Sequence, residues 1–188
     1  MQIIRLWVLG AEFISRKEII MKLQNIFMAL GVAGLLCIAS LSTAWPVTTE
    51  KFVKEASIGN EFEVETSKLA LEKSQNKDIR TFAQAMIDDH TKTEAELREL
   101  LQTSATGLKV EENLDGKHQD MMNKLQSLST DNFNHEYVSM QTKAHKEAMD
   151  LFRSYSKNGD DPALKKFAAD TLPTLEEHLK LVKKLKQE

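Results

Sequence analysis

From residue 49 onward, apolar side chains return every three or four positions with charged ones between them, which is the period of an amphipathic helix. Between 49 and 73 the stripe is Phe52, Ala56, Gly59, Phe62, Thr66, Leu69 and Ala70, with Lys and Glu on the other face. Asn76 and Asp78 offer caps for a second helix, whose stripe is Ile79, Phe82, Ala83, Met86, His90, Leu97, Leu100 and Leu101 and which ends before Gly107. A shorter helix is predicted from about 115 to 128, stopped by Ser129-Thr130-Asp131-Asn132. The next stripe, over 133–157, holds Tyr137, Val138, Gln141, Ala144, Ala148, Leu151, Phe152 and Tyr155, and Asn158-Gly159 closes it. Asp161-Pro162 opens the last helix at its first turn. Its stripe is Leu164, Phe167, Ala168, Leu172, Leu175, Leu179, Val182 and Leu185, and Pro173 is expected to kink it.

Four long helices and one short one predict an all-α bundle, and the connections choose its topology. The first-to-second and third-to-fourth links are a few residues each and force antiparallel neighbours. Residues 104–132 are enough to cross the bundle with the short helix inside the crossing, which is the ferritin-like arrangement. A plain up-down-up-down bundle is the rival. Composition agrees with helix: 41% of the 188 residues are hydrophobic, only 6% aromatic, and three are proline. A formal charge of −3 with both signs interspersed gives no surface for nucleic-acid phosphates. A single cysteine excludes an intrachain disulfide framework and multi-cysteine metal sites.

The front of the chain reads differently. From Met21, a basic start (Met21-Lys22-Leu23-Gln24-Asn25) is followed by an apolar run over 26–41 and by Ser42-Thr43-Ala44, a small-residue cleavage site. This pattern is that of a secretory signal peptide, with Met21 the expected start and residues 1–20 an upstream extension. An uncleaved anchor is the alternative, but the 16-residue run is shorter than the ~20 that span a bilayer. Cys37 follows Leu36, where a lipid-attachment site would want a small residue. The expected organisation is therefore 1–44 removed and 45–188 a single bundle domain, periplasmic or secreted, with no stable membrane span and no cysteine. That domain carries 21 basic and 26 acidic side chains, a net −5.

Polar residues interrupt the stripes at matching places. Glu63, His90, His145 and His178 stand on the four long helices, each within or beside an apolar row. If residues 104–132 cross the bundle, their distances from the hairpin turns differ by roughly 9 Å at most at 1.5 Å per residue, so all four share one level of the core. In the up-and-down alternative they separate. Imidazoles and a carboxylate at one level form a candidate site for one transition metal, zinc, copper or iron, with Asp89, Tyr137 and Gln141 as supporting partners. The other reading is a buried polar network in which the same groups only fix helix register. Glu-x-x-His pairs, which di-iron carboxylate bundles need on two helices, are missing, because Ile87, Thr142 and Leu175 stand three before the histidines. His118 with Met121 and Met122 is a second, softer set with ligand types that suit Cu(I), although methionines at this spacing also serve packing. Lys180, Lys183, Lys184 and Lys186 form a solvated end that complements the helix dipole. No nucleophile elbow, phosphate loop or His-Glu-x-x-His stretch is present, so no catalytic residue is assigned.

Four segments carry a family resemblance: 62–70 (Phe-Glu-Val-Glu-Thr-Ser-Lys-Leu-Ala), 82–90 (Phe-Ala-Gln-Ala-Met-Ile-Asp-Asp-His), the spacing of Tyr137 to His145, and 172–178 (Leu-Pro-Thr-Leu-Glu-Glu-His). Over about 52–185 the chain resembles the bacterial exported family known as domain of unknown function 4142, placed among ferritin-like bundles. The resemblance marks Glu63, Asp89, His90, Tyr137, His145 and His178. This chain departs from the family at Asn134, where the usual residue is Asp. The family has no established activity. Two functions follow as expectations: an exported binding or stress-associated protein holding a metal or small ligand in its histidine layer, or a structural, partner-binding bundle without a ligand. N-terminal sequencing of exported protein is expected to begin near Trp45, and a start at or before Met21 would contradict the processing site.

Overall fold

A computed structural model describes residues 47–185, and the expected signal segment lies outside them. The described chain is helical, with no strand among the described residues: α1 Thr49–Lys73, α2 Lys77–Thr103, α3 Gly116–Ser127, α4 Thr130–Asn158 and α5 Pro162–Leu185. No helix among them is long and apolar enough to cross a membrane.

Helix starts are set by side chains that satisfy the free N–H groups of the first turn. Asn76 Oδ1 accepts from the backbone N–H of Asp78 and Ile79 at 2.9 and 3.0 Å, and Asp161 Oδ1 from those of Ala163 and Leu164 at 2.9 Å each. Thr48 does the same for α1 and Asp115 for α3. α4 begins at Thr130 rather than near 133, inside the polar run expected to break the chain; Ser129 holds the cap position without a side-chain cap bond. α2 stops at Thr103, and Gly107 turns the chain with a positive φ of 67°. α5 continues through Pro173 from Pro162 to Leu185.

The crossover is visible in which ends meet. Lys73, at the end of α1, donates to the carbonyls of Gln126 and Leu128, just before α4 begins. Thr49, at the start of α1, bonds Tyr155 and Asp160 at the end of α4. α1 and α4 are therefore antiparallel, and α2, which leaves the Lys73 end, runs parallel to α4. This is the ferritin-like order: α1 packs beside α2 and α4, and α5 beside α4 and α2. The segment 104–129, with α3 inside it, runs the length of the bundle.

The core divides into two apolar clusters. One gathers Phe62, Phe82, Met86, Leu125, Phe133 and Tyr137 among others, and the second Phe52, Leu97, Phe152, Tyr155, Phe167 and Leu175. Each polar stripe residue falls between members of the two: Glu63 between Ala56 and Leu69, His90 between Met86 and Leu97, His145 between Met140 and Phe152, His178 between Leu175 and Leu179. The polar level is thus clamped from above and below by packed side chains.

The second cluster is held at its outer end by a tight contact. Tyr155 stacks on Phe52 with ring centroids 4.1 Å apart, and the first atom of a side chain on Gly159 would lie 2.6 Å from the Tyr155 ring and 2.7 Å from its carbonyl oxygen. Gly159→Ala is expected to push the ring off Phe52 and lower stability by ~1–3 kcal/mol in urea denaturation. An unchanged midpoint would show that the ring is free to move.

Candidate metal centre

Glu63, His90, His145 and His178 are 2%, 5%, 0% and 3% exposed and stand together between the two clusters. The imidazole centroids are 5.4 to 5.9 Å apart, and one ring nitrogen from each histidine lies within 4.8 Å of the others.

Each ring is fixed through one nitrogen. His145 Nδ1 donates to the Gln141 carbonyl at 2.9 Å, and His178 Nε2 to Asp89 Oδ2 at 2.8 Å. His90 Nδ1 faces Asn60 Oδ1 at 2.9 Å. Since all three partners are acceptors, the proton of each neutral ring sits on that nitrogen, and the other nitrogen keeps a bare lone pair. Those other nitrogens, His90 Nε2, His145 Nε2 and His178 Nδ1, are buried and have no partner. A buried acceptor left without any partner would cost ~1–3 kcal/mol, so three in one place call for water or a ligand. Anchoring the far nitrogen on a carbonyl or carboxylate is the arrangement by which proteins orient histidine ligands.

Glu63 lies on the anchored side of two rings, with Oε1 3.0 Å from His145 Nδ1 and Oε2 3.5 Å from His90 Nδ1. The His145 N–H is already directed at Gln141, and Glu63 Oε1 is left without a hydrogen bond. Burial pushes the Glu63 carboxyl up to about 8, against a smaller opposing pull from His178, so it is protonated at neutral pH. Burial pushes the histidines the other way. His145 falls to about 4, against an opposing hydrogen bond to Gln141; His90 falls well below its usual value, helped by repulsion from His145 and His178. His178 falls too, with Asp89 opposing. All three rings are therefore neutral near pH 7, the state in which imidazole donates to a metal.

The expected supporting residues divide. Asp89 holds His178, and Gln141 holds His145 through its backbone while its side-chain amide donates to Thr66 Oγ1 at 2.9 Å. Tyr137 does not bond a histidine; its hydroxyl meets Ser67 Oγ at 2.9 Å, beneath Phe82 and Phe133. Asn60 anchors His90 and was missed by the stripe. The available signal was its spacing, four after Ala56 and three before Glu63 on the inward side of α1. The softer set disperses: Met122 is buried in the first apolar cluster, Met121 packs against that cluster, and His118 Nδ1 pairs with Asp115 at 2.6 Å. Lys180 pairs with Glu177, and Asn134 Oδ1 is buried without a partner.

A cavity of about 450 Å³ connects the layer to the surface. Glu63, His90 and His178 form part of its wall, together with exposed Glu55, Lys117 and Glu147.

The chain belongs to the family described as Domain of unknown function (DUF4142), whose pattern matches residues 39–185. No curated protein matches it significantly. Among solved structures, the fold is similar to CopM in the Cu(II)-bound form (18% identity, TM-score 0.63) and to CopM in the Ag-bound form (18%, TM-score 0.61). Each likeness covers 74% of this chain and 96% of CopM, and at this identity it speaks for the shared fold.

The opposed shifts give the metal-free protein a characteristic pH dependence. The native histidines refuse protons that the unfolded chain accepts, so stability is lost as pH falls below about 6.5. Glu63 acts in the opposite sense, since its native carboxyl keeps a proton that the unfolded chain releases between 4.5 and about 8. Stability from Glu63 is therefore complete below 4.5 and lost as pH rises. Three groups outweigh one below 6.5, and Glu63 acts alone above it. Chelator-treated protein is expected to be most stable near pH 6.5 and to lose about 2 kcal/mol by pH 8. Glu63→Gln should flatten the alkaline side in urea titrations across this range. A steady rise in stability up to pH 8 in the unsubstituted protein would contradict the assignment.

Proposed function

We propose that this DUF4142 protein is an exported helical bundle that binds one transition-metal ion through His90, His145 and His178, with Glu63 supplying negative charge beside the site. The observation that carries the reading is the set of three buried ring nitrogens without partners, each on a histidine whose other nitrogen is already anchored. In a purely structural layer the free nitrogen of each ring would have no protein group to bond. Imidazole donors suit zinc, copper and iron, and neutral rings bind without first losing a proton. A cation in the layer would favour the ionised form of Glu63, so binding near neutral pH is accompanied by proton release. The likeness to a protein solved with Cu(II) and with Ag supports the reading. Export rests on the signal-type segment at 21–44. Nothing in the layer resembles a nucleophile with its base, and we assign no catalysis.

The register reading has its own support, because the same groups tie helices together: Asn60 to His90 joins α1 and α2, Asp89 to His178 joins α2 and α5, and Gln141 to Thr66 joins α4 and α1. It gives the three nitrogens no protein partner.

Protein purified from its native compartment without an affinity tag is expected to carry about one metal ion per chain, and chelator should lower its melting temperature. His90→Ala and His178→Ala should each remove the metal, and the double variant should lose less stability than the sum of the two. Chelator should erase most of the difference between each variant and the unsubstituted protein. Metal-free protein, indifference to chelator and additive losses together would leave the register reading alone.

A further inference from the structure

Gly59 has neither of the usual reasons to be glycine. It lies in the interior of α1, where glycine is a poorer helix former than any residue but proline, and its φ is not positive. A side-chain atom added there would meet nothing within 4 Å. What the position does have is the cavity, whose wall it forms together with Ala56 on α1 and with Ala144 and Ala148 on α4. One glycine and three alanines thus line the same cavity as the exposed Glu55 and Glu147 and the buried His90 and His178, two of whose ring nitrogens have no protein partner. Apart from Glu63, the charged wall residues are four carboxylates, Glu55, Glu94, Asp115 and Glu147, against Lys117. Glu55, Glu94 and Glu147 are themselves paired with Lys51, Arg98 and Lys143.

We propose that Gly59 holds open the passage through which a metal cation reaches the histidine layer. The proposal rests on the metal reading above and adds the route and the residue that sets its width. A long side chain at 59 projects into the passage, whereas the three histidines and their anchors are untouched, so the rate of loading should change and the final occupancy should not. Ala148 lines the same cavity from α4 and should respond in the same way.

The test compares Gly59→Leu and Ala148→Leu with the unsubstituted protein, after circular dichroism has shown that each is folded. Uptake of Co(II) by metal-free protein, followed by visible absorbance in a stopped-flow instrument, is expected to slow at least about tenfold in each variant while the amount bound at equilibrium stays the same. A second arm needs no metal. Diethyl pyrocarbonate acylates unprotonated imidazole, and its reaction at His90 and His178, located by peptide mass, should slow in parallel. Unsubstituted rates in both arms would overturn the passage. If the unsubstituted protein takes up no Co(II), the metal reading fails, and the acylation arm alone decides whether Gly59 controls access.

Discussion

Burial of four ionisable side chains at one level of a helical bundle is the constraint from which the rest of this structure follows. Packed protein takes the place of most of the water around Glu63, His90, His145 and His178, so each is driven toward its neutral form, the carboxyl upward and the imidazoles downward. Neutral imidazole has one donor and one acceptor, and the fold provides for only the donor. Asn60, Gln141 and Asp89 take the three N–H groups and thereby fix both the tautomer and the orientation of the rings. Two apolar clusters hold the layer from either side, and the crossover over 104–129 brings α2 and α4 into the parallel relation that places the histidines at one height.

The arrangement differs in chemistry from the carboxylate-rich centres that ferritin-like bundles often hold. Here the inward groups are mostly imidazole, with one carboxyl set behind two of the rings. Without Glu-x-x-His pairs there is no bridging carboxylate for a second ion, which is why the proposal is of a single one. The cavity beside it also separates this layer from a closed structural site, since His90 and His178 face a space that reaches the surface.

Much of this was legible in the sequence because a bundle is read by counting. The three-and-four period located the four long helices, the short links forced antiparallel pairs, and, given a crossing over 104–132, the axial offsets of Glu63 and the three histidines placed them at one level. What counting cannot supply is direction within the level. Asn60 lies at the margin of its stripe, and only the rotation of α1 turns it to His90. Tyr137 sits two turns from His145 on the same helix, but its phenol reaches across to Ser67. The polar run at 129–132 was read as a break, yet residues that disfavour helix interiors are the ones that start helices, and α4 begins among them. Gly59 fell in the stripe as a small residue, and its significance depends on a cavity that has no signature in the sequence.

X-ray absorption at the edge of any metal retained by tag-free protein tests most directly whether His90, His145 and His178 hold an ion. The account predicts scattering from three imidazole nitrogens with no sulfur neighbour, lost in His145→Ala. Sulfur in the nearest shell would move the ion to methionines such as Met121 and Met122, and a spectrum unchanged in His145→Ala would remove the histidine layer from metal binding altogether.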